Sequence, residues 1–154
     1  MAPGTARAVT AGRYRRRMTT TTTPQLDAFG MVAQDLPRTL AFYRELGLDI
    51  PTDADGAPHV EVQLAGGVRL MFDPVDTVRS FLPDWQPPTG GHRMGLAFRC
   101  ASPGDVDATY ERLVARGAHG HKAPWDAFWG QRYAIVHDPD GNPVDLYAPL
   151  PDAG

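Results

Sequence analysis

Residues 125–149, WDAFWGQRYAIVHDPDGNPVDLYAP, decide how this chain is read. Asp140-Gly141 stands between two runs with strand chemistry, 132–137 and 144–147. An Asp-Gly pair flanked in this way predicts a hairpin, because Gly141 takes the positive φ that a tight reversal needs. Just upstream, Trp125, Phe128 and Trp129 put three large rings within five residues. That much apolar surface is costly in water, so the rings either seal a core or line a ligand site.

Working back from this stretch, 118–122 reads as extended. Ser102-Pro103-Gly104-Asp105 supplies an N-cap, a first-turn proline and an acidic third position. Val106, Tyr110 and Leu113 mark the buried stripe of the helix that follows, Gly117 closes it, and 93–100, RMGLAFRC, reads as the strand before it. The same order occurs once earlier. A strand over 26–33 leads to a helix capped by Asp35, with Pro37 in its first turn, a stripe of Leu36, Leu40, Tyr43 and Leu46, and Gly47 at its end. A short strand over 48–51, a turn-rich loop and a hairpin of 59–64 with 68–72 about Gly66-Gly67 complete it. The stretch 73–91 holds four prolines and reads as a connection. Laying Phe29-Gly30-Met31 on Met94-Gly95-Leu96 gives an offset of 65 residues with the two helices in step. One such unit cannot bury both faces of its sheet, so the two copies are expected to pack together. The expected organisation is a basic tail (1–23), a first module (24–82), a linker (83–91), a second module (92–150) and a short tail (151–154).

The chain has 154 residues, enough for one domain with a core or for two small modules sharing one. No apolar run approaches the roughly 20 residues of a membrane helix, so a soluble protein is expected. The single cysteine, Cys100, rules out an internal disulfide and fits a reducing compartment, by default the cytoplasm. A net charge of −3 hides an asymmetry: Arg7, Arg13, Arg15, Arg16 and Arg17 lie in a segment without acids, leaving ten basic and eighteen acidic residues in the rest. An acidic body is a poor match for a phosphate backbone, and neither nucleic acid nor membrane is expected as a partner. The basic arm has no apolar core of a signal peptide; it reads as a disordered tail, with Met18 as an alternative start.

Three motifs together, DLPRTLAFYRELGL (35–48), LAFRC with DVDATYERL, and FWGQRYAIVHDPDGNPVDLYAP (128–149), resemble the vicinal oxygen chelate superfamily. That superfamily includes glyoxalases, extradiol dioxygenases and bleomycin-resistance proteins. The resemblance spans about 26–150 and implies an α+β fold: two tandem βαβββ modules forming a cupped mixed sheet, with helices on the outer face. One scaffold of this kind hosts several reactions, so the fold alone does not name the chemistry.

Strand alternation divides the faces. Phe29, Met31, Ala33, Leu70, Phe72, Met94, Leu96, Phe98, Val144 and Leu146 form an apolar side suited to lie beneath the helices. Ala28, Gly30, Val32, Arg69, Met71, Arg93, Gly95, Ala97, Asp145 and Tyr147 form the other, whose mixture suits a ligand cup. Gly30 and Gly95 either leave its floor open or mark strand bends.

Metalloenzymes of the resembled family take four His or Glu ligands, one from the first and one from the last strand of each module. Those positions fall on Ala28, Arg69, Arg93 and Asp145, of which only Asp145 can ligate, since alanine has no lone pair and arginine stays protonated. A one-residue slip brings His92 to the third position. The expected state is therefore metal-free and without a cofactor, with Arg69 and Arg93 pairing with Asp145, either to neutralise the cup floor or as a solvent-exposed pairing of no consequence. Among the remaining candidates, His119 and His121 share a strand face and can jointly hold a metal, although a solvated pair is the commoner outcome; His59 with Glu61 has the same spacing and the same two readings. His137 caps or packs at the turn, and Cys100 is a small packed residue.

The resemblance, the lost ligands and the aromatic cluster together imply a dimeric binding protein that sequesters an aromatic or cationic antibiotic-like molecule without turnover. Trp125, Phe128, Trp129, Met71 and Tyr147 are its expected contacts, Arg69, Arg93 and Asp145 its polar anchors, and Trp85 a cover from the linker. The rival is a lyase, isomerase or dioxygenase using acid/base groups or a metal held by His59, Glu61, His92 or Asp145. A third reading, a ligand-free dimer, buries the aromatic rings in the subunit interface.

Overall fold

The computed structural model describes residues 8–10 and 25–152. The chain divides into two compact units, Met1–Gln86 and Pro87–Gly154, each with its own mixed sheet and covering helix. No helix among the described residues is long and apolar enough to cross a membrane.

The first unit contains β1 (Ala8–Thr10), β2 (Ala28–Ala33), α1 (Leu36–Glu45), β3 (Val60–Gln63), β4 (Arg69–Pro74) and α2 (Val75–Phe81), with sheet order β1-β3-β4-β2. Asp35 starts α1 by accepting a hydrogen bond from the Arg38 N–H at 3.1 Å, and Gly47 ends it at φ 91°. The helix buries Leu36, Thr39, Leu40, Phe42 and Tyr43. Val60, Val62, Leu70 and Phe72 supply the sheet side of this core, and the Tyr43 ring lies 5.1 Å from both Phe42 and Phe72. Such pairs add to the burial of their area.

Three features of this unit differ from the sequence reading. The expected strand at 48–51 is reduced to one bridging residue, Asp49. The edge of the sheet beside β3 is formed by Ala8–Thr10, part of the arm read as disordered; the rest of that arm lies outside the described residues. The proline-rich stretch 73–91 is not all connection, since it holds α2, a seven-residue helix that escaped notice because only Val78 is buried and no apolar stripe develops. The division between the units, at Gln86 and Pro87, falls within 83–91.

The second unit contains β5 (Leu96–Arg99), α3 (Pro103–Ala115), β6 (His119–Ala127), β7 (Gln131–His137) and β8 (Pro143–Pro149), in the order β5-β8-β7-β6. Ser102 and Asp105 close a reciprocal cap: the Ser102 hydroxyl accepts from the Asp105 N–H at 3.2 Å and donates to its carboxylate at 2.9 Å. Val106 and Leu113 of α3 are buried with Ala134, Val136, Val144, Leu146 and Ala148.

β5 is shorter than the run 93–100. Arg93 and Met94 precede it, and Met94 is 73% exposed instead of lying under the helix. Gly95 serves close approach, not an open floor: a Cβ there would stand 3.0 Å from the Pro143 carbonyl oxygen. At Gly30 the floor is open, with only the Met71 methyl within ordinary contact at 3.8 Å. β6 runs further than 118–122 and takes Trp125 into the strand, pairing with β7 through two register shifts.

The β7–β8 turn is held by Asp138, whose buried carboxylate accepts from the Asp140 N–H (3.0 Å), the Asn142 N–H (2.8 Å) and the Asn142 side-chain amide (2.9 Å). Gly141 adopts φ 86° as the hairpin requires. Removing these acceptors strands backbone donors at a buried corner, so Asp138→Ala should lower stability by about 2 kcal/mol, read from chemical-denaturation midpoints.

Candidate functional site

Each unit presents one sheet face away from its covering helix. In the first unit this face is built by register: Ala28 opposes Arg69, Gly30 opposes Met71 and Val32 opposes Asp73 across the parallel β2–β4 pair, while Glu61 opposes Met71 and Gln63 opposes Arg69 across β3–β4. A line of alternating charge runs over it. Arg69 donates to Asp27 at 2.5 Å and to Glu61 at 2.6 Å; His59 contacts Glu61 through Nε2 at 2.9 Å and Asp73 through Nδ1 at 2.6 Å.

With both ring nitrogens facing carboxylates, His59 satisfies the arrangement best as an imidazolium. Burial opposes that charge, but the hydrogen bonds and charges of Asp73 and Glu61 outweigh it and hold the His59 pKa above its usual value. Burial likewise raises the Glu61 pKa, and the bonds from His59 and Arg69 overcome this and lower it.

The positions that the family resemblance assigns to chelation carry other chemistry on this face. Ala28 offers no donor, and the Arg69 guanidinium is a fixed cation gripping two acids where a ligand would stand. His59 and Glu61, the alternative ligands of a metalloenzyme, are tied into the line: both His59 ring nitrogens contact carboxylates, and Glu61 Oε1 receives both His59 and Arg69. The expected pairing of Arg69 and Arg93 with Asp145 is not found: Arg69 holds Asp27 and Glu61, and Asp145 holds Tyr133.

In the second unit, Ala97 and not Arg93 is the register partner of Asp145. The open face of β6, β7 and β8 carries a wall of rings centred on Tyr133. Trp125 lies 5.3 Å from it, Trp129 5.4 Å and Tyr147 6.2 Å, the first two edge-on and the last stacked. The Tyr133 hydroxyl donates to Asp145 at 2.6 Å; burial first, then that carboxylate, push its pKa up to about 12, so it remains a proton-bearing donor at neutral pH. The Lys122 ammonium sits 3.9 Å from the Trp125 ring centroid. Phe128, in the β6–β7 turn, is 97% exposed and packs edge-on against Trp129, itself 49% exposed.

Of the sequence-predicted contacts, the structure therefore brings together Trp125, Phe128, Trp129, Tyr147 and Asp145. Met71 and Arg69 lie on the open face of the first unit, Arg93 lies ahead of β5, and Trp85 packs near Arg79 with its ring 5.9 Å from the guanidinium. The sequence reading missed the central place of Tyr133 and the part of Lys122; alternation from Tyr147 through the Asp-Gly turn would have found the first.

At the other end of the same face stand four imidazoles. His119, His121 and His137 each offer a ring nitrogen within 4.8 Å of the others, and His92 lies 5.8 Å from His137 between ring centroids. Burial, then the neighbouring His121, His119 and His92, lower the His137 pKa, which favours its neutral ring. Cys100 is half-buried, and burial raises its thiol pKa, which makes it a poor nucleophile.

The residue pattern of the Glyoxalase/Bleomycin resistance protein/Dioxygenase superfamily matches residues 25–146, and the chain belongs to that superfamily. Among solved structures, a glyoxalase/bleomycin resistance protein/dioxygenase from Nocardioides is similar at 25% identity, covering 86% of this chain and 88% of its own, with a TM-score of 0.61. A family enzyme from Burkholderia phytofirmans PsJN (20% identity, 82% and 100% covered, TM-score 0.69) and a glyoxalase-related enzyme from Fulvimarina pelagi (22%, 82% and 88%, 0.68) share the fold. No protein of curated function matches the chain.

The charge line generates a pH signature. Because the His59 pKa rises on folding, its contribution is complete below about pH 6.5 and is lost as pH climbs through the folded value; the lowered Glu61 pKa gives a contribution present above about pH 4.3 and lost on acidification. His59→Gln should cost about 1 kcal/mol at pH 5.5, after discounting for solvent screening, and less at pH 9, as urea midpoints of the two proteins would show.

Proposed function

We propose that this protein binds a planar aromatic, cationic small molecule on the ring wall of its second unit and sequesters it without turnover, as a cytoplasmic homodimer. The observation that carries the reading is the clustering of Trp125, Trp129 and Tyr147 around Tyr133 on a face that no helix covers. Rings held against one another, two edge-on and one stacked on Tyr133, offer contact area at little entropic cost. One feature supports a cationic ligand: the Asp145 carboxylate, held by the Tyr133 hydroxyl, provides an acidic anchor beside rings whose faces attract cations. Bleomycin resistance is among the activities that name the superfamily, which makes drug sequestration a natural use of such a surface. Phe128, at 97% exposure, stands outside the wall and is the residue a second subunit would cover.

The charge line of the first unit weighs against the rival enzyme built on His59 and Glu61, since each already makes two ion pairs, His59 with Glu61 and Asp73, and Glu61 with His59 and Arg69. A tryptophan-fluorescence titration with a panel of planar cationic aromatics, bleomycin included, tests the reading. Quenching should saturate with a ligand recovered unchanged, Trp129→Ala should weaken binding about 10-fold, and a neutral analogue should bind about 5-fold more weakly. Affinity indifferent to Trp129→Ala, or a ligand chemically altered on incubation, would overturn it.

A further inference from the structure

We infer that His119, His121 and His137 form a binding site for a borderline divalent transition ion such as Zn²⁺, which clamps β6 to β7 at the end of the open face away from the ring wall. The site shares no residue with Ala28, Arg69, Arg93 and Asp145, the four positions that the family resemblance assigns to chelation.

Local structure explains the convergence. His119 is the direct register partner of His137 across the antiparallel β6–β7 pair, so their side chains emerge on one face. The residue between His119 and His121 is Gly120, and it must point the opposite way: a Cβ there would collide with the Tyr110 hydroxyl and meet Val114, both on α3. Both flanking histidines therefore project from the helix-free side. The pairing then slips between Gly120 and Lys122, and again before Trp125. Without these shifts, counting back from Ala127 opposite Gln131 would pair His121 with His137; with them His119 takes that place and His121 stays alongside, its ring stacked on His137 at 4.7 Å and 15°. Two bulges thus put two histidines of one strand beside one of its neighbour.

The chemistry of the set is specific. Three imidazoles with no carboxylate suit zinc, nickel or copper and not magnesium or calcium, which demand oxygen. Zinc–nitrogen bonds of about 2.0–2.1 Å in tetrahedral geometry place ligand nitrogens roughly 3.4 Å apart. The present spread of at most 4.8 Å closes by side-chain rotation, chiefly of the exposed His119 and of His121 as it leaves its stack. The fourth position is left to water or to His92, whose ring lies beside His137. An ion here would join two strands at the point where bulges have removed ladder hydrogen bonds, and would stabilise the hairpin that also carries Trp125 and Tyr133. His137 and Tyr133 are four residues apart on β7, roughly 13 Å at about 3.3 Å per residue, so the ion lies clear of the rings.

The test uses the full chain stripped with chelator and titrated calorimetrically with Zn²⁺, alongside thermal unfolding with and without the metal. One equivalent should bind and raise the unfolding midpoint. His121→Gln and His137→Gln should each weaken binding at least 10-fold and abolish the midpoint shift, and Co²⁺ in place of Zn²⁺ should give the visible absorption of a tetrahedral nitrogen site. His121 is exposed, so its variant should fold even where that of His137 does not. His59→Gln should leave binding unchanged. The inference is overturned by the absence of stoichiometric binding, by binding that survives His121→Gln, or by binding lost with His59→Gln. Trp129→Ala should not affect Zn²⁺, so failure of this site and failure of the ring wall are read separately.

Discussion

One parallel strand pair in each unit is the constraint on which the rest depends. β2 runs parallel to β4 and β5 parallel to β8, and a chain cannot join parallel neighbours by a tight turn. The connection has to cross over, and in both units the crossing begins with the long helix, α1 or α3. That helix covers one face, which is why Leu70 and Phe72 or Val144 and Leu146 are fully buried while the residues between them are not. Arg69, Met71, Tyr133, Asp145 and Tyr147 sit on the faces that the crossovers leave bare.

The two bare faces use that freedom in opposite ways. In the first unit five groups from Asp27 to Asp73 form a continuous line of hydrogen bonds and ion pairs. In the second, Trp129 is half exposed within the ring cluster, and three histidines bring ring nitrogens within 4.8 Å of one another.

Most of the architecture was legible in the sequence because it is written in local chemistry. Asp35, Ser102 with Asp105, and the Asp138–Asn142 turn are short-range signals, and each forms the cap or reversal its residues specify. What could not be read depends on partners distant in the chain. Arg69 finds Asp27 across 42 residues, and nothing nearby marks that choice over Asp145. The distance from first strand to last fooled a fixed repeat offset: Arg93 matched Ala28 by counting, yet β5 begins at Leu96 and presents Ala97 to Asp145. The histidine group was hidden by two bulges in β6, which no periodicity announces. α2 was missed because a helix with one buried residue has no stripe to detect.

The grip of Arg69 on two acids bears on what a substitution at that position would do. A neutral imidazole there, as Arg69→His would place, removes the cation standing between Asp27 and Glu61 and leaves the two carboxylates without their shared counter-charge. Such a change is uphill by itself, and compensating changes at both acids would have to accompany it. The interlocked pairs make each member's identity a condition of the others'.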